Sequence, residues 1–302
     1  MGFLQGIFEW LPVSSEGQLV IVLSKFLSLD PEAATSLALF SHIGTALVVV
    51  IYFRKEFFIM FSSMYIYIRS IVTKGQNILP DYYEQGLLLT KLIFIVTLFT
   101  LPTALISLLV FEELVTNLNQ FIGISIANTV TILIGLLLIV TGFILRLRTT
   151  LAQAIISDES IHFENLPFLQ SIALGLIQGL AALPGISRSG STITYLLIGT
   201  KLDQNEALRG SFLVAVPVSI GAGFLQVLRG KIILTPLGIM SESGNALLMN
   251  YSGALIMILS SFLFGFLTLK LFLDLSKKIS FDKFMIGFGI IAIAAVLIGY
   301  LL

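Results

Sequence analysis

The chain has 302 residues, a formal net charge of zero, no cysteine and a mean hydropathy of +1.02. Hydrophobic residues make up 57% of it and charged residues 11%, against about 25% charged in a soluble domain. This excludes a soluble globular protein, a disordered chain and a nucleic-acid binder. Without cysteine there are no disulfides, iron–sulfur clusters or thiolate metal sites, and two histidines, His42 and His162, are too few for a multi-histidine metal centre.

In chain order, the first apolar stretch, 3–28, is broken at Leu11-Pro12-Val13-Ser14-Ser15-Glu16-Gly17. It has no basic leader, and Glu9 and Glu16 interrupt it, so it is not read as a cleavable signal peptide. Residues 34–53 follow as a full span of roughly 20 apolar residues. Residues 54–73, aromatic-rich and flanked by base, read as an amphipathic helix in the membrane interface. Further spans fall at 87–111, 121–145, 211–228, 247–269 and 284–302. The stretch 166–200 is broken at Leu183-Pro184-Gly185-Ile186-Ser187-Arg188-Ser189-Gly190. Non-helical backbone at membrane depth survives only inside protein or beside water, so the two broken stretches read as re-entrant helical hairpins. The expected fold is an all-α polytopic membrane protein with about six transmembrane helices and two re-entrant hairpins.

Loop charges give an orientation. Segments 54–86, 146–165, 201–210 and 270–283 are basic and read as cytoplasmic. Segment 112–120 holds Glu112 and Glu113 and reads as outside; 229–246 carries Arg229 and Lys231, yet the alternation places it outside. Both hairpins then return to their starting face and dip in from opposite sides. The sequence supports inversion: Gln5-Gly6 before Leu11-Pro12-x-x-Ser15 recurs as Gln178-Gly179 before Leu183-Pro184-x-x-Ser187. One membrane domain, 1–302, is expected, with repeats at about 1–145 and 166–302 joined by the cytoplasmic loop 146–165. Inverted repeats with broken helices often build membrane sites for charged groups.

Arg188 is the most informative residue. A charge at membrane depth costs about 2.5–3.5 kcal/mol on insertion scales and needs a partner. It sits among Gly185, Ser187, Ser189, Gly190, Ser191 and Thr192. Small residues, hydroxyl donors, a helix restart and a guanidinium fork together suit a phosphate. The packing alternative is an Arg paired with a buried carboxylate. Glu9 lies four residues after Gln5, on one helix face; a carboxylate beside an amide oxygen suits Mg²⁺ or Ca²⁺, and Glu9 could equally act as a general base or pair with Arg188. Ser14, Ser15 and Ser187 sit at the breaks, where a hydroxyl could attack phosphorus. Glu16 is placed at the outer mouth, His42 is read mainly as an interhelical hydrogen-bonding residue, and Trp10 either lines an acyl-chain groove or packs.

On these residues the sequence resembles the BacA-type undecaprenyl-diphosphate phosphatases. Their first motif, [EQ]-G-x-T-E-F-L-P-[IV]-S-S-x-G-H, is matched by Gln5 to Gln18, and their second, P-G-x-S-R-S-G-x-T, by Pro184 to Thr192. Segments 42–45 and 206–222 are also similar to the family. The resemblance implies an integral plasma-membrane enzyme with a site facing outward. It would cleave polyprenyl diphosphate to the monophosphate and inorganic phosphate with a divalent metal, recycling the cell-wall lipid carrier and conferring bacitracin resistance. Carried over, Glu9, Ser15 and Arg188 would be catalytic, with Glu9 also the metal ligand. Gln5, Ser14, Gln18, Gly185, Ser187, Ser189 and Thr192 would bind substrate. Gln18 stands where the family has histidine and Phe8 where it has threonine, so His42 is a candidate substitute for the missing imidazole. Membrane lipid and a second copy of the chain are the expected partners, and a transporter or flippase of a lipid phosphate or small anion is the competing reading.

Overall fold

In the computed structural model the described residues are 1–11, 13–73, 81–152, 161–200, 202–236, 241–243, 246–276 and 282–301. Pro12, Lys74, Lys201, Lys277 and Lys278, and residues 153–160 of the expected loop 146–165, fall outside them. Helix α1 (Gly2–Phe8) stops before the first break and α2 (Ser15–Phe26) starts after it. Then come α3 (Pro31–Tyr52), α4 (Arg54–Thr73), α5 (Asp81–Ile122) and α6 (Ile126–Ala152). After a 3-10 turn at Phe163–Asn165, α7 (Phe168–Leu180) and α8 (Arg188–Gly199) flank the second break. The chain ends with α9 (Gln204–Leu228), α10 (Tyr251–Ser276) and α11 (Asp282–Leu301). Among the described residues five helices, α3, α5, α6, α9 and α10, contain stretches long and apolar enough to cross a membrane. The protein is an all-α polytopic membrane protein.

Three boundaries differ from the sequence reading. Helix α5 runs 42 residues, about 63 Å at 1.5 Å per residue. It carries the acidic segment 112–120 as helix, and the chain turns only at Gly123, whose φ of 71° suits a residue without a Cβ. Charge at 112–113 marked a departure from the apolar core, and helical propensity carried the backbone on. Segment 229–246, read as a loop, contributes strands β1 (Ile232–Thr235) and β2 (Ser241–Ser243). The third strand, β3 (Ala246–Asn250), takes the expected start of the span at 247. The order is β1-β3-β2, with Ile232 opposite Leu247 in the parallel pair and both buried. Third, α9 begins at Gln204, so most of the segment 201–210 is its first turns, started by Asp203 accepting the backbone N–H groups of Asn205 and Glu206.

Contacts between short and long helices set the frame. Helix α1 lies on α10, and α7 lies on α5. Both approaches are close because a glycine pair faces the partner. A Cβ at Gly6 would sit 2.6 Å from Gly265 N, and one at Gly179 would sit 2.5 Å from Thr103 Cβ. Gly2, Gln5 and Gly6 of α1 thus recur as Gly175, Gln178 and Gly179 of α7. Helices α3 and α9 pack together at the centre, and α6 packs on α11.

Loops assigned to one face by charge also meet. Arg209 reaches Glu56 (4.0 Å), Glu164 (2.9 Å) and Glu206 (3.0 Å), joining three segments read as cytoplasmic. Lys231 pairs with Glu32 at the other end of the bundle, beside the start of α3.

Candidate active site

The two breaks interlock. Ser14 has φ 53°, a left-handed conformation that costs a residue with a side chain about 1–2 kcal/mol. Its Oγ accepts the backbone N–H of Gly185 at 3.2 Å. Gly185, at φ 106°, lies so close to Gly17 that a Cβ on Gly17 would sit 2.7 Å from Gly185 N. Thr141 of α6 clamps the second break from behind: its Oγ1 donates to Gly185 O at 3.0 Å and accepts from Ser187 N–H at 3.3 Å. Ser187 caps α8 by accepting Gly190 N–H at 3.1 Å.

This geometry brings two helix N-termini to one place. Ser15 is the first residue of α2 and Arg188 the first of α8, and both line a cavity of about 360 Å³. Orphan N–H groups and positive dipole ends at such termini favour an anion. Between them lies Glu9, 6% exposed. Its Oε1 pairs with Arg188 Nη2. Its Oε2 accepts from Gln5 Nε2 at 2.7 Å and Ser15 Oγ at 3.1 Å and faces His42 Nε2 at 3.2 Å. His42 Nδ1–H donates to Ala38 O at 2.7 Å, which fixes the ring. Arg188 Nη1 is buried without a partner among the described residues. A buried guanidinium donor without a partner calls for an acceptor, and a phosphate oxygen is a matching one.

The expected site residues divide. Glu9, Ser14, Ser15, Ser187, Arg188 and Ser189 line the cavity together. Gln5 lies behind Glu9, fully buried, and reaches the site only through that carboxylate. Gln18, Gly185 and Thr192 are outside the cavity lining. Gln18 donates to Val13 O at 2.6 Å, Gly185 makes the turn, and Thr192 is hydrogen-bonded to Ser211 and to Arg188 O. Trp10 packs: it is 2% exposed, with Nε1 donating to Gly265 O and its ring edge-on to Phe212.

Other residues line the cavity beside these. Glu16 is one, with Oε1 buried and unpartnered among the described residues. His42 of α3 reaches across to Glu9 at the end of α1, the interhelical contact expected of it. Gln178, Gln226 and Arg229 also line the cavity. For Gln178 the signal was present, as it is the repeat counterpart of Gln5. Most of the remaining wall is apolar, with Leu101, Ala104, Leu105 and Leu108 from α5 and Leu225 from α9, and Thr97, Thr100 and Ser219 add hydroxyls to it.

A polytopic helical protein with a buried Glu–Arg pair at two helix breaks, opening on an apolar wall, defines a membrane protein built to hold an amphiphilic anion. The family model for the bacitracin resistance protein BacA matches residues 1–295, and the chain belongs to this family. It is 35% identical over 97% of its length to an undecaprenyl-diphosphatase of Methanothrix thermoacetophila, covering 94% of that protein. It is 30% identical to undecaprenyl-diphosphatases of Methanococcoides burtonii (97% of this chain, 95% of the relative) and Rubrobacter xylanophilus (99% and 96%).

Proposed function

We propose that this chain is a membrane undecaprenyl-diphosphate phosphatase, releasing inorganic phosphate and the polyprenyl monophosphate, so that the lipid carrier of cell-wall glycans is recycled and bacitracin is resisted. The observation that carries this reading is Arg188, which lines the cavity with Nη2 on Glu9 and Nη1 buried without a partner among the described residues. Arg188 and the two helix N-termini hold the diphosphate oxygens and offset the charge that builds up as the bond breaks. Ser15 Oγ, hydrogen-bonded to Glu9, attacks the terminal phosphorus while Glu9 accepts its proton. The bond from that phosphorus to the bridging oxygen breaks, and the lipid monophosphate leaves. Water then hydrolyses the phosphoserine to release inorganic phosphate and restore Ser15. The apolar α5 wall takes the prenyl chain.

The family implies a divalent cation, and the donors present fit one. Glu9 and Glu16 are hard oxygen ligands that line the cavity, and Glu16 Oε1 is a buried acceptor without a partner among the described residues. Among the described residues no group of three or more His, Cys, Asp or Glu is poised as a complete metal site, so Glu9 and Glu16 would share the ion with phosphate oxygens. Bound there, Mg²⁺ or Ca²⁺ would neutralise phosphate charge.

The site would face outward from the plasma membrane. Helices α5 and α9 both leave the expected cytoplasmic end, and each lends the cavity only its later part, Thr97 to Leu108 and Pro217 to Arg229. The division into inverted repeats at 1–145 and 166–302 is supported by the exchange of partners, α1 on α10 and α7 on α5. The test is phosphate release from C55 diphosphate by purified protein, run beside lipid movement in liposomes. Release with a trapped phosphoserine at Ser15 is expected. Movement without release would favour a transporter.

A further inference from the structure

Arg229 lines the same cavity as Arg188 but has no part in the chemistry above. It stands at the C-terminal cap of α9, is exposed, and has no side-chain hydrogen bond or ion pair among the described residues. Two residues on, Lys231 is by contrast neutralised by Glu32. Ser219, Gln226 and Arg229 all line the cavity. At 100° per residue their spacing puts them within about a quarter-turn on one face of α9. This face spans about 15 Å along the helix at 1.5 Å per residue. Its inner end is at the site, since Ser219 also lines a small recess with Glu9 and Arg188. Facing it, α5 presents Leu105 and Leu108.

Charge gives this face a purpose. Within the cavity Arg188 is matched by Glu9, and Arg229 is the one further guanidinium in the lining among the described residues, a fixed positive charge that attracts an incoming diphosphate. The geometry points to Arg229 as a docking residue: it captures the diphosphate head at the far end of the cavity, and the Gln226–Ser219 face leads that head to Arg188. The prenyl chain slides along the apolar α5 wall meanwhile. Arg229 then acts on capture, not on bond breaking, and its effect resides in KM and in the response to salt. This rests on the phosphatase reading.

The test uses full-length protein in detergent and compares wild type with Arg229→Gln and Arg229→Lys. Wild-type kcat/KM falls as salt rises from about 0.01 to 1 M, over which the screening length drops from about 30 Å to about 3 Å. Arg229→Gln is expected to raise KM roughly fivefold to tenfold at low salt, hold kcat within about twofold and flatten the salt response, with Arg229→Lys close to wild type. An equal KM and equal salt response in Arg229→Gln, or a loss confined to kcat, would overturn the assignment. A second arm measures inorganic pyrophosphate binding by calorimetry. A several-fold weaker Kd in Arg229→Gln supports the assignment and an equal Kd overturns it, whether or not the wild type turns over. Absence of turnover by the wild type would count against the phosphatase reading alone.

Discussion

Glu9 and Arg188 are 179 positions apart in the chain and form an ion pair inside an apolar helical bundle. Each ends or begins a short helix, so the pair joins the two breaks as well as furnishing the site. Its two duties can be separated. Arg188→Met removes the proposed phosphate donor and strands a carboxylate whose side chain is 4% exposed, a loss of about 3–5 kcal/mol. Phosphate release should fall at least about a thousandfold. In Glu9→Gln/Arg188→Met no charge is stranded, so thermal stability in detergent should recover while activity stays lost. Recovery of activity with stability would remove Arg188 from the chemistry.

Ser14 and Ser15 are neighbours with different work. Ser15 Oγ donates to the Glu9 carboxylate, whereas Ser14 Oγ accepts the Gly185 N–H. Ser15→Ala should lower kcat at least about a hundredfold with little change in melting temperature. Ser14→Ala leaves a buried N–H without a partner and should cost about 1–3 kcal/mol of stability, with a smaller kinetic effect. Rate measurement and thermal unfolding of both variants settle the division. Equal kinetic losses would mean that Ser15 only shapes the break.

The seating of α1 on α10 depends on Gly6. A Cβ there meets the backbone of Gly265 at 2.6 Å and of Ser261 at 2.8 Å, neither of which can swing aside. Gly6→Ala should cost about 1–3 kcal/mol and displace Glu9, three residues on, so activity falls with stability. Gly287 of α11 has nothing within 4 Å of its would-be Cβ, and Gly287→Ala should be neutral or stabilising by up to about 1 kcal/mol. Unfolding curves of the pair check the contrast.

The sequence made the broken helices and the Arg188–Glu9 pairing legible because charge and Pro-Gly pairs are conspicuous in apolar surroundings. Local pattern could not show which side chains look into the cavity. Gln18 sits in a motif yet turns back to Val13 O, while His42, in an ordinary-looking span, faces Glu9. That choice is made by the crossing of α3 with the first break, a tertiary relation. Helix α5 was misjudged at its end because Glu112 and Glu113 depart from an apolar pattern without breaking a helix. The sheet at 232–250 was hidden for a related reason: its inward residues, Ile232, Leu247 and Met249, are as apolar as a span.

At the end of the bundle away from Arg229, Arg209 holds Glu56, Glu164 and Glu206 together. These carboxylates come from the start of α4, the 3-10 turn and α9, so one guanidinium ties the α3–α4 junction to the link that precedes α7. Glu206 also accepts the backbone N–H of Phe163, whose fully buried ring lies against Gly210. Arg209→Met would leave three carboxylates facing one another, with a cost of about 1.5–3 kcal/mol from the lost charged hydrogen bonds. Arg209 is 20 positions from Arg229 on the same helix axis, about 30 Å away, so chemistry at the cavity should not feel the change directly. The expected outcome is a lower melting temperature, partly restored by Glu164→Gln in the same chain, with turnover per folded molecule within about twofold of wild type. Loss of turnover at unaltered stability would instead mean that this end of the bundle moves during the catalytic cycle, and that Arg209 holds a gate rather than a joint.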